Sequence, residues 1–431
     1  MRRMALGTGL ALLLAACGGG GPNGSGGPNE SPSGTQVQVS LVDGLDNPIQ
    51  AIAAAYRVGN GSFQALSPTG LGQYRFTVPS GEKKYTVVFR CPHYGTLSSS
   101  VQAVSYELTL AEATSFKVRC PLAYAGPEAN LNEPDDNTSS ESFPDEINDG
   151  IGWAYSATSS GAPLNIEGGD YERNDLPPFF PVPVGKDREV AIYGWIGNTY
   201  YFGRKLVNVN YDTRHIGQIT VSQVGANFTT SHQVRAYLLG KEVRIPLGSS
   251  TNFPKPSSDS GDLYELVSFS GNQMRLRRIR GDQLASNENT DLSPNLNNFN
   301  PSVSPNPGSL PTFQGLTDPQ FPNERPLRGY LLALSWNWIS AFWQHLVGKG
   351  ALQTNSYPLP DPTGVTGLEA LKPTKKDPVT WVAVALGLDQ PLSQVLGARP
   401  IPQWIDLFDA PNRHLPLDLE AVWAYGSYNQ P

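Results

Sequence analysis

Residues 72–91 read GQYRFTVPSGEKKYTVVFRC, and this stretch decides the fold class of the chain. Between residues 74 and 78, tyrosine, phenylalanine and valine alternate with polar residues, which is the period of a strand with one buried face. Ser80-Gly81 then offers a tight turn, and residues 84–91 form a run of β-branched and aromatic residues that ends at a cysteine. The stretch therefore predicts two short strands connected by a turn.

Runs of the same kind surround this stretch between residues 36 and 122. They are short, rich in valine, tyrosine, phenylalanine and threonine, and separated by turn residues. They lie at residues 37–42, 52–58, 72–79, 84–91, 105–110 and 114–120. Short strands at this spacing indicate a small antiparallel β-sandwich, so we expect a first β-sandwich domain at 36–122.

The phrase GQYRFTVPSGEKKYTVVF (72–89) resembles the carboxypeptidase-regulatory and prealbumin-like modules. In those modules a strand that ends in a Pro-x-Gly turn leads into a strand of the form YxVxF. The resemblance implies an accessory domain with no catalytic residues to carry over. Residues 181–195, PVPVGKDREVAIYGW, again place a Pro-x-Gly turn before an alternating strand, which suggests a diverged second copy.

The rest of the chain divides by composition. Residues 123–150 form an acidic linker, 151–280 a second β-rich domain, 281–326 an Asn/Pro-rich linker and 327–431 a Trp-rich C-terminal β domain. Residues 329–347 are long enough for a buried helix, but their aromatic and β-branched content favours two strands. We therefore expect a mainly β protein, with several antiparallel immunoglobulin- or prealbumin-like sandwiches joined by linkers.

The first residues have the pattern of an export signal. Residues 1–16 place two arginines before a short apolar run and a pair of alanines, and LAAC at 14–17 resembles the lipobox of bacterial lipoproteins. In that family the signal is cut before the cysteine, whose thiol receives diacylglycerol, and the new amino end is acylated by a fatty acid such as palmitate. The resemblance implies lipidation of Cys17 and a flexible tether over 17–35; the alternative is a secretory signal with a chance cysteine.

Position 18 is glycine rather than the aspartate that, in the enterobacterial sorting rule, retains a lipoprotein at the inner membrane. The resemblance therefore implies a cell-envelope address at the outer membrane or cell surface. The remaining cysteines, Cys91 and Cys120, each end a strand-like run before proline, and outside the cytoplasm such a pair is expected to form a disulfide. A metal site is the weaker alternative, because structural zinc takes four ligands.

Residues for catalysis or metal binding do not form a known motif. The chain lacks Gly-x-Ser-x-Gly and His-Glu-x-x-His, and its five histidines stand apart. The acidic stretch 145–150 partly fits a calcium loop, but Ile147 stands where an oxygen ligand is needed, so a solvated linker is preferred. A net charge of −7 makes nucleic acid a poor partner. We expect no catalytic residues, no metal and no cofactor.

Two clusters are candidate binding surfaces. The arginines of MRLRRIRG could grip anionic glycans or lipid headgroups, or they could simply keep an edge strand solvated; they are Arg275, Arg277, Arg278 and Arg280. The tryptophans of the C-terminal segment could stack on sugar rings if exposed, or belong to the core if buried; they are Trp336, Trp338 and Trp343.

The sequence thus predicts a lipid-anchored cell-envelope protein that acts as a non-enzymatic structural or interaction module. Its partners would be the membrane, through the N-terminal lipid, and envelope glycans or other envelope proteins. The alternative is a lipoprotein that binds carbohydrate or cell-wall glycan. A more remote alternative is an envelope hydrolase, which would need a cleft where a histidine meets a carboxylate and a hydroxyl.

Overall fold

The computed structural model describes most of the chain from residue 34 onward. The described residues are 34–42, 48–92, 101–120, 128–131, 151–156, 180–183, 185–196, 199–210, 222–225, 227–230, 234–239, 244–246, 252–255, 258, 260–288, 291–294, 296–336, 341–396 and 416–431. Cys17, Trp338 and the acidic stretch 145–150 lie outside them, so the predictions made for these residues stay predictions.

The described residues are mainly β-strands. The strands of the first part are β1 (Gly34–Val42), β2 (Ala53–Val58), β3 (Gln64–Ala65), β4 (Pro68–Gly70), β5 (Gln73–Pro79), β6 (Lys84–Arg90), β7 (Val101–Thr109), β8 (Ser115–Arg119) and β9 (Glu128–Leu131). Those of the middle are β10 (Ile151–Ser156), β11 (Phe180–Pro183), β12 (Gly185–Ile196), β13 (Thr199–Val209), β14 (Ser222–Gln223), β15 (Asn227–Thr230), β16 (Val234–Leu239), β17 (Arg244–Pro246), β18 (Asn252–Pro254), β19 (Leu263–Ser270), β20 (Gln273–Arg280) and β21 (Asn287–Glu288).

The last part of the chain adds longer strands and little helix. The strands are β22 (Ser302–Ser304), β23 (Thr312–Gln314), β24 (Leu327–Trp336), β25 (Ala341–Gly348), β26 (Ser356–Pro358), β27 (Pro378–Leu388) and β28 (Leu417–Asn429). The helical elements are α1 (Leu392–Val395) and the 3₁₀ turns at Leu296–Asn298 and Glu369–Leu371. Within the described residues no helix is long and apolar enough to cross a membrane. Residues 329–347 form strands β24 and β25, as predicted, and not a helix.

One large sheet joins both ends of the described chain. Its twelve strands run in the order β17-β16-β19-β20-β28-β27-β24-β25-β7-β6-β2-β3. Neighbours pair antiparallel except at β25 and β7, where the last part of the chain meets the first part in a parallel pair. A four-stranded sheet of order β4-β5-β1-β8 is separate from it in hydrogen bonding. The described residues between 34 and 431 belong to one compact unit.

The four-stranded sheet packs face to face on the large sheet. Along β5 the side chains alternate between exposed and buried, and the predicted alternation of residues 74–78 is confirmed. Tyr74 meets Phe89 of β6 edge to face at 4.9 Å, and Phe76 meets Tyr85 at 5.4 Å. The turn after β5, with Gly81 at φ +99°, therefore passes the chain from one sheet to the other.

The other face of the large sheet is covered by largely irregular chain, which includes the short three-stranded sheet β22-β23-β26. Residues 296–326, within the segment predicted as an Asn/Pro-rich linker, place single apolar side chains against β24 and β27. Residues 351–371 do the same, and the buried side chains include Phe299, Leu310, Phe313, Leu316, Leu359 and Leu368. Prolines and asparagines keep the strands there as short as β22 and β23, but a largely irregular backbone still buries isolated apolar residues. The large sheet is consequently covered on both faces, and β6 is buried along nearly its whole length.

The two remaining cysteines form the expected disulfide. Cys91 follows β6 of the large sheet and Cys120 follows β8 of the four-stranded sheet, and the bond joins the two sheets inside their shared core. Both residues are almost completely buried. The disulfide is therefore an inter-sheet link.

Replacing both cysteines with alanine is expected to lower the free energy of unfolding by about 3–4 kcal/mol, because a closed loop of 29 residues no longer restricts the unfolded chain. Urea unfolding followed by tryptophan fluorescence measures the change. Wild-type protein unfolded in reducing buffer is the matched control and should agree with the double variant. Equal stability of oxidised wild type and variant would contradict an inter-sheet role.

Candidate functional site

The arginines of β20 are mostly engaged within the protein. Arg275 donates to both carboxylate oxygens of Asp418, at 3.0 and 2.7 Å. Arg278 is buried and donates to Glu265 at 2.7 Å, and Arg277 contacts Glu288 at 3.3 Å. Arg280 is exposed at the end of the strand. Three of the four proposed anion-binding arginines are thus ion-paired to strands and loops of the same fold, which leaves this face without the expected free basic patch.

The tryptophans proposed for sugar stacking are buried where the structure describes them. Trp336 is 3% exposed and Trp343 is 1% exposed, and both belong to the core between the large sheet and its irregular cover. An indole stacks on a sugar ring only through a solvent-accessible face. The burial of Trp336 and Trp343 contradicts the prediction that they stack on sugar rings. Their apolar surface stabilises the core instead.

A buried polar cluster lies on the same face of the large sheet, and we call it the Glu107 cluster. It consists of Arg57 on β2, Lys84 and Thr86 on β6, Ser105 and Glu107 on β7, Trp343 and His345 on β25, and Tyr357 on β26. The register explains the assembly, because Arg57, Thr86 and Glu107 are direct partners across β2, β6 and β7. Ser105 is likewise the direct partner of His345 across the parallel pair. Residues two apart on a strand share a face, so the side chains converge.

Glu107 is the centre of this cluster. Its side chain is buried and accepts hydrogen bonds from Arg57 Nη2 at 2.7 Å and from Thr86 Oγ1 at 2.8 Å. Lys84 Nζ lies 3.0 Å from the other carboxylate oxygen. Burial raises the pKa of Glu107, but His345 in its protonated form and the permanent charges of Arg57 and Lys84, with the Arg57 hydrogen bond, bring that pKa below its ordinary value. Glu107 is therefore held as a carboxylate.

A chain of hydrogen bonds runs from Trp343 to Glu107. Trp343 Nε1 donates to Ser105 Oγ at 2.7 Å, and Ser105 Oγ lies 2.7 Å from His345 Nδ1. His345 Nε2 lies 2.6 Å from the Tyr357 hydroxyl, which also hydrogen-bonds the Glu107 side chain. Since a carboxylate only accepts, the Tyr357 hydroxyl must donate to Glu107 and accept from Nε2–H of His345. We therefore assign His345 the neutral Nε2–H tautomer, with Ser105 donating to Nδ1.

The Ser105–His345 pair has the spacing of a nucleophile and its base, but its surroundings differ from those of an enzyme site. Ser105 is fully buried and His345 is 1% exposed. A catalytic serine must reach a substrate, and its histidine must be able to take a proton. Here burial lowers the pKa of His345 to about 4, with Glu107 raising it only in part. The pair thus aligns a buried hydrogen-bond chain and is closed to substrate.

Lowering the pH from 6.5 to 4 is expected to destabilise the protein by up to about 3 kcal/mol through His345 alone. The folded protein keeps this imidazole neutral down to about pH 4, whereas the unfolded chain protonates it near 6.5. The unfolded state therefore binds more protons in this window, and stability falls as pH falls. Urea unfolding at several pH values measures the slope.

The matched control for that measurement is His345→Gln, which removes the titrating group from the same position. Its stability should depend less on pH between 6.5 and 4 than that of the wild type, whatever its absolute stability. If the stability of the two proteins depends on pH in the same way, His345 has the same pKa in the folded protein as in the unfolded chain, and the assignment is wrong.

A cavity of about 320 Å³ opens beside the cluster. Arg57, Lys84 and Glu107 lie on its floor, and residues 351–354 and 356–361 form its wall. Among the residues that the structure describes, no group of three or more His, Cys, Asp or Glu side chains could hold a metal ion.

The sequence did not point to the Glu107 cluster. The one available signal was two polar residues, Ser105 and Glu107, spaced two apart inside the apolar strand SYELTL.

No family model and no curated protein matches the chain. Among solved structures, the chain is similar to the pilus adhesin SpaC from Lactobacillus rhamnosus GG, with 9% sequence identity and a TM-score of 0.12. The match covers 73% of this chain and 42% of the adhesin, so the chain spans less than half the length of that protein. A TM-score of this size is too low to indicate a shared fold.

Proposed function

We propose that this chain is a lipid-anchored cell-envelope protein, held to the membrane through Cys17, whose β fold acts as a non-enzymatic structural or interaction module. Two observations support the proposal. The LAAC stretch at 14–17 has the form of a lipobox, and the Cys91–Cys120 disulfide links the two packed sheets.

The disulfide is the observation that carries the proposal. Disulfides persist in oxidising compartments outside the cytosol, where reducing systems do not keep thiols free. This bond lies inside the core that both sheets share, so its formation is coupled to their packing. A fold that includes such a link suits a protein exported before it folds, as the export pattern of residues 1–16 requires.

The buried and partly buried charged side chains pair with one another, which supports a structural or interaction module rather than an enzyme. On the covered face of the large sheet, Glu107 is engaged by Arg57, Lys84 and Thr86. On β20 and β28, Arg275 and Asp418 engage each other. Buried ionic groups that neutralise one another stabilise a defined arrangement of strands and loops and are not available as acids, bases or nucleophiles.

The direct test is labelling of cells with radioactive palmitate followed by isolation of the protein. Wild-type protein should incorporate label, Cys17→Ala should incorporate none, and Gly19→Ala should label as the wild type does because it keeps the thiol. Mass spectrometry of the N-terminal peptide should find Cys17 as the first residue, carrying lipid. Label in Cys17→Ala, or an intact residue 1 in the mature protein, would overturn the anchor.

A further inference from the structure

The cavity beside the Glu107 cluster has a floor of charged side chains and a wall of largely apolar ones. Arg57 and Lys84 reach it from β2 and β6, and their side chains are 17% and 16% exposed. On the opposite side, it is lined by Tyr357 of β26 and by Leu359 and Pro360, which follow that strand. Cavities that bind small molecules combine an apolar lining with a few fixed polar groups in this way.

The charged side chains of the floor are two cations and one carboxylate, so the floor has a net positive charge. Arg57 and Lys84 both face the single carboxylate of Glu107. Asp361, at the rim, accepts hydrogen bonds from Thr363 and lies 3.6 Å from Lys372, so its charge is balanced outside the cavity. The excess positive charge therefore faces the cavity itself.

Hydrogen-bond donors remain for a ligand on this floor. Arg57 uses Nε on Thr86 and Nη2 on Glu107, and among the described residues no acceptor meets its Nη1. Lys84 uses two of its three protons, on Asn60 Oδ1 at 3.1 Å and on Glu107 at 3.0 Å. The guanidinium is further held over the Phe63 ring, with 5.3 Å from Cζ to the ring centroid. Arg57 and Lys84 are thus held in place, and each keeps an N–H group that a ligand could use.

We propose that this cavity binds a small organic acid of about the size of a monosaccharide, with its carboxylate on Arg57 Nη1 and Lys84 Nζ. The C–H face of the ligand ring lies against Tyr357 and Leu359. A monoanion matches the single surplus charge, whereas inorganic phosphate is partly a dianion at neutral pH. A cavity of about 320 Å³ has room for one small ring. The inference does not depend on the lipid anchor and would stand if that failed.

Calorimetric titration of the full-length protein in detergent tests the assignment, with D-glucuronate as the acidic probe. We expect a dissociation constant on the order of 1 mM, as a ligand of this size allows. D-glucose has the same ring without the charge and should bind at least about tenfold more weakly, and so should inorganic phosphate.

Two variants locate the binding in the cavity. Lys84→Met removes one of the two cations and should weaken glucuronate binding at least about tenfold. Gln353→Trp places a large side chain at an exposed position of the wall, away from the ion pairs, and should block binding without disturbing Glu107. Lys349→Met removes a comparable surface lysine, 56% exposed and paired with Asp318, and should bind as the wild type does.

Thermal unfolding of each variant establishes that it is folded before it is titrated. Glucuronate that fails to bind folded wild-type protein, or that binds no better than glucose, overturns the assignment. Phosphate that binds as tightly as glucuronate overturns the choice of a carboxylate. Unchanged affinity in both Lys84→Met and Gln353→Trp overturns the location.

Discussion

Glu107→Gln is expected to lower the free energy of unfolding by about 3 kcal/mol, at the lower end of the range for breaking a buried ion pair. The amide keeps the volume of the side chain, so packing is preserved while the charge is lost. Arg57 and Lys84 then face each other without the carboxylate that separates them, and the Tyr357 hydroxyl loses the acceptor that receives its proton. Arg57 and Lys84 are both partly exposed, so hydration of their charges offsets part of the lost stability.

Urea unfolding at pH 7 measures the effect, with Glu82→Gln as the matched control. Glu82 is an exposed carboxylate in the turn that precedes β6, and its replacement should change stability by less than about 0.5 kcal/mol. If the two substitutions have equal effects, Glu107 does not organise the cluster. Glu107→Gln should also extend the pH dependence assigned to His345 to lower pH, because the carboxylate that partly raises the pKa of this imidazole is gone.

Trp343→Ala is expected to cost about 3–5 kcal/mol, the range for truncating a fully buried large aromatic side chain. The indole is among the largest completely buried side chains of the described protein, and its removal leaves a cavity between β25 and the irregular cover. Ser105 also loses the hydrogen bond from the indole at 2.7 Å. Trp343→Phe should be intermediate, because it keeps much of the packing and loses only the donor and part of the ring.

Tyr425→Ala is the control, since Tyr425 is 70% exposed on β28 and its removal should have a small effect on stability. The measurement is again urea unfolding, accompanied by acrylamide quenching of tryptophan fluorescence. A near-zero effect of Trp343→Ala would contradict burial of this indole and would return Trp343 to the candidates for sugar stacking.

Local pattern was sufficient to predict the strands and the covalent link between them. The alternation at residues 74–78 requires one buried face wherever the strand pairs, and the burial of Tyr74 and Phe76 confirms it. Each of the two cysteines ends a strand and precedes a proline, and this placement with an export signal predicted the bond between Cys91 and Cys120. Both features depend on short-range chemistry, which the sequence displays directly.

Within the described residues, the binding surfaces predicted from the arginine and tryptophan clusters were not found, because a high density of charged or aromatic residues does not reveal whether they are buried. Arg275 and Arg278 look alike in MRLRRIRG, yet one pairs with Asp418 on β28 and the other is buried against Glu265 on β19. The difference depends on which strands flank β20, and strand neighbours are chosen by the whole fold.

By itself the sequence determined that this chain is mainly β and that Cys91 pairs with Cys120, and it predicted an export signal and a lipid anchor. The tertiary structure alone decided that residues 72–91 cross between two sheets, and that β25 lies parallel to β7. That pairing places Ser105 beside His345, which is 240 residues away in the chain. The physical reason is that a period of two fixes which face of a strand is buried, whereas partner and register follow from the packing of the complete sheet.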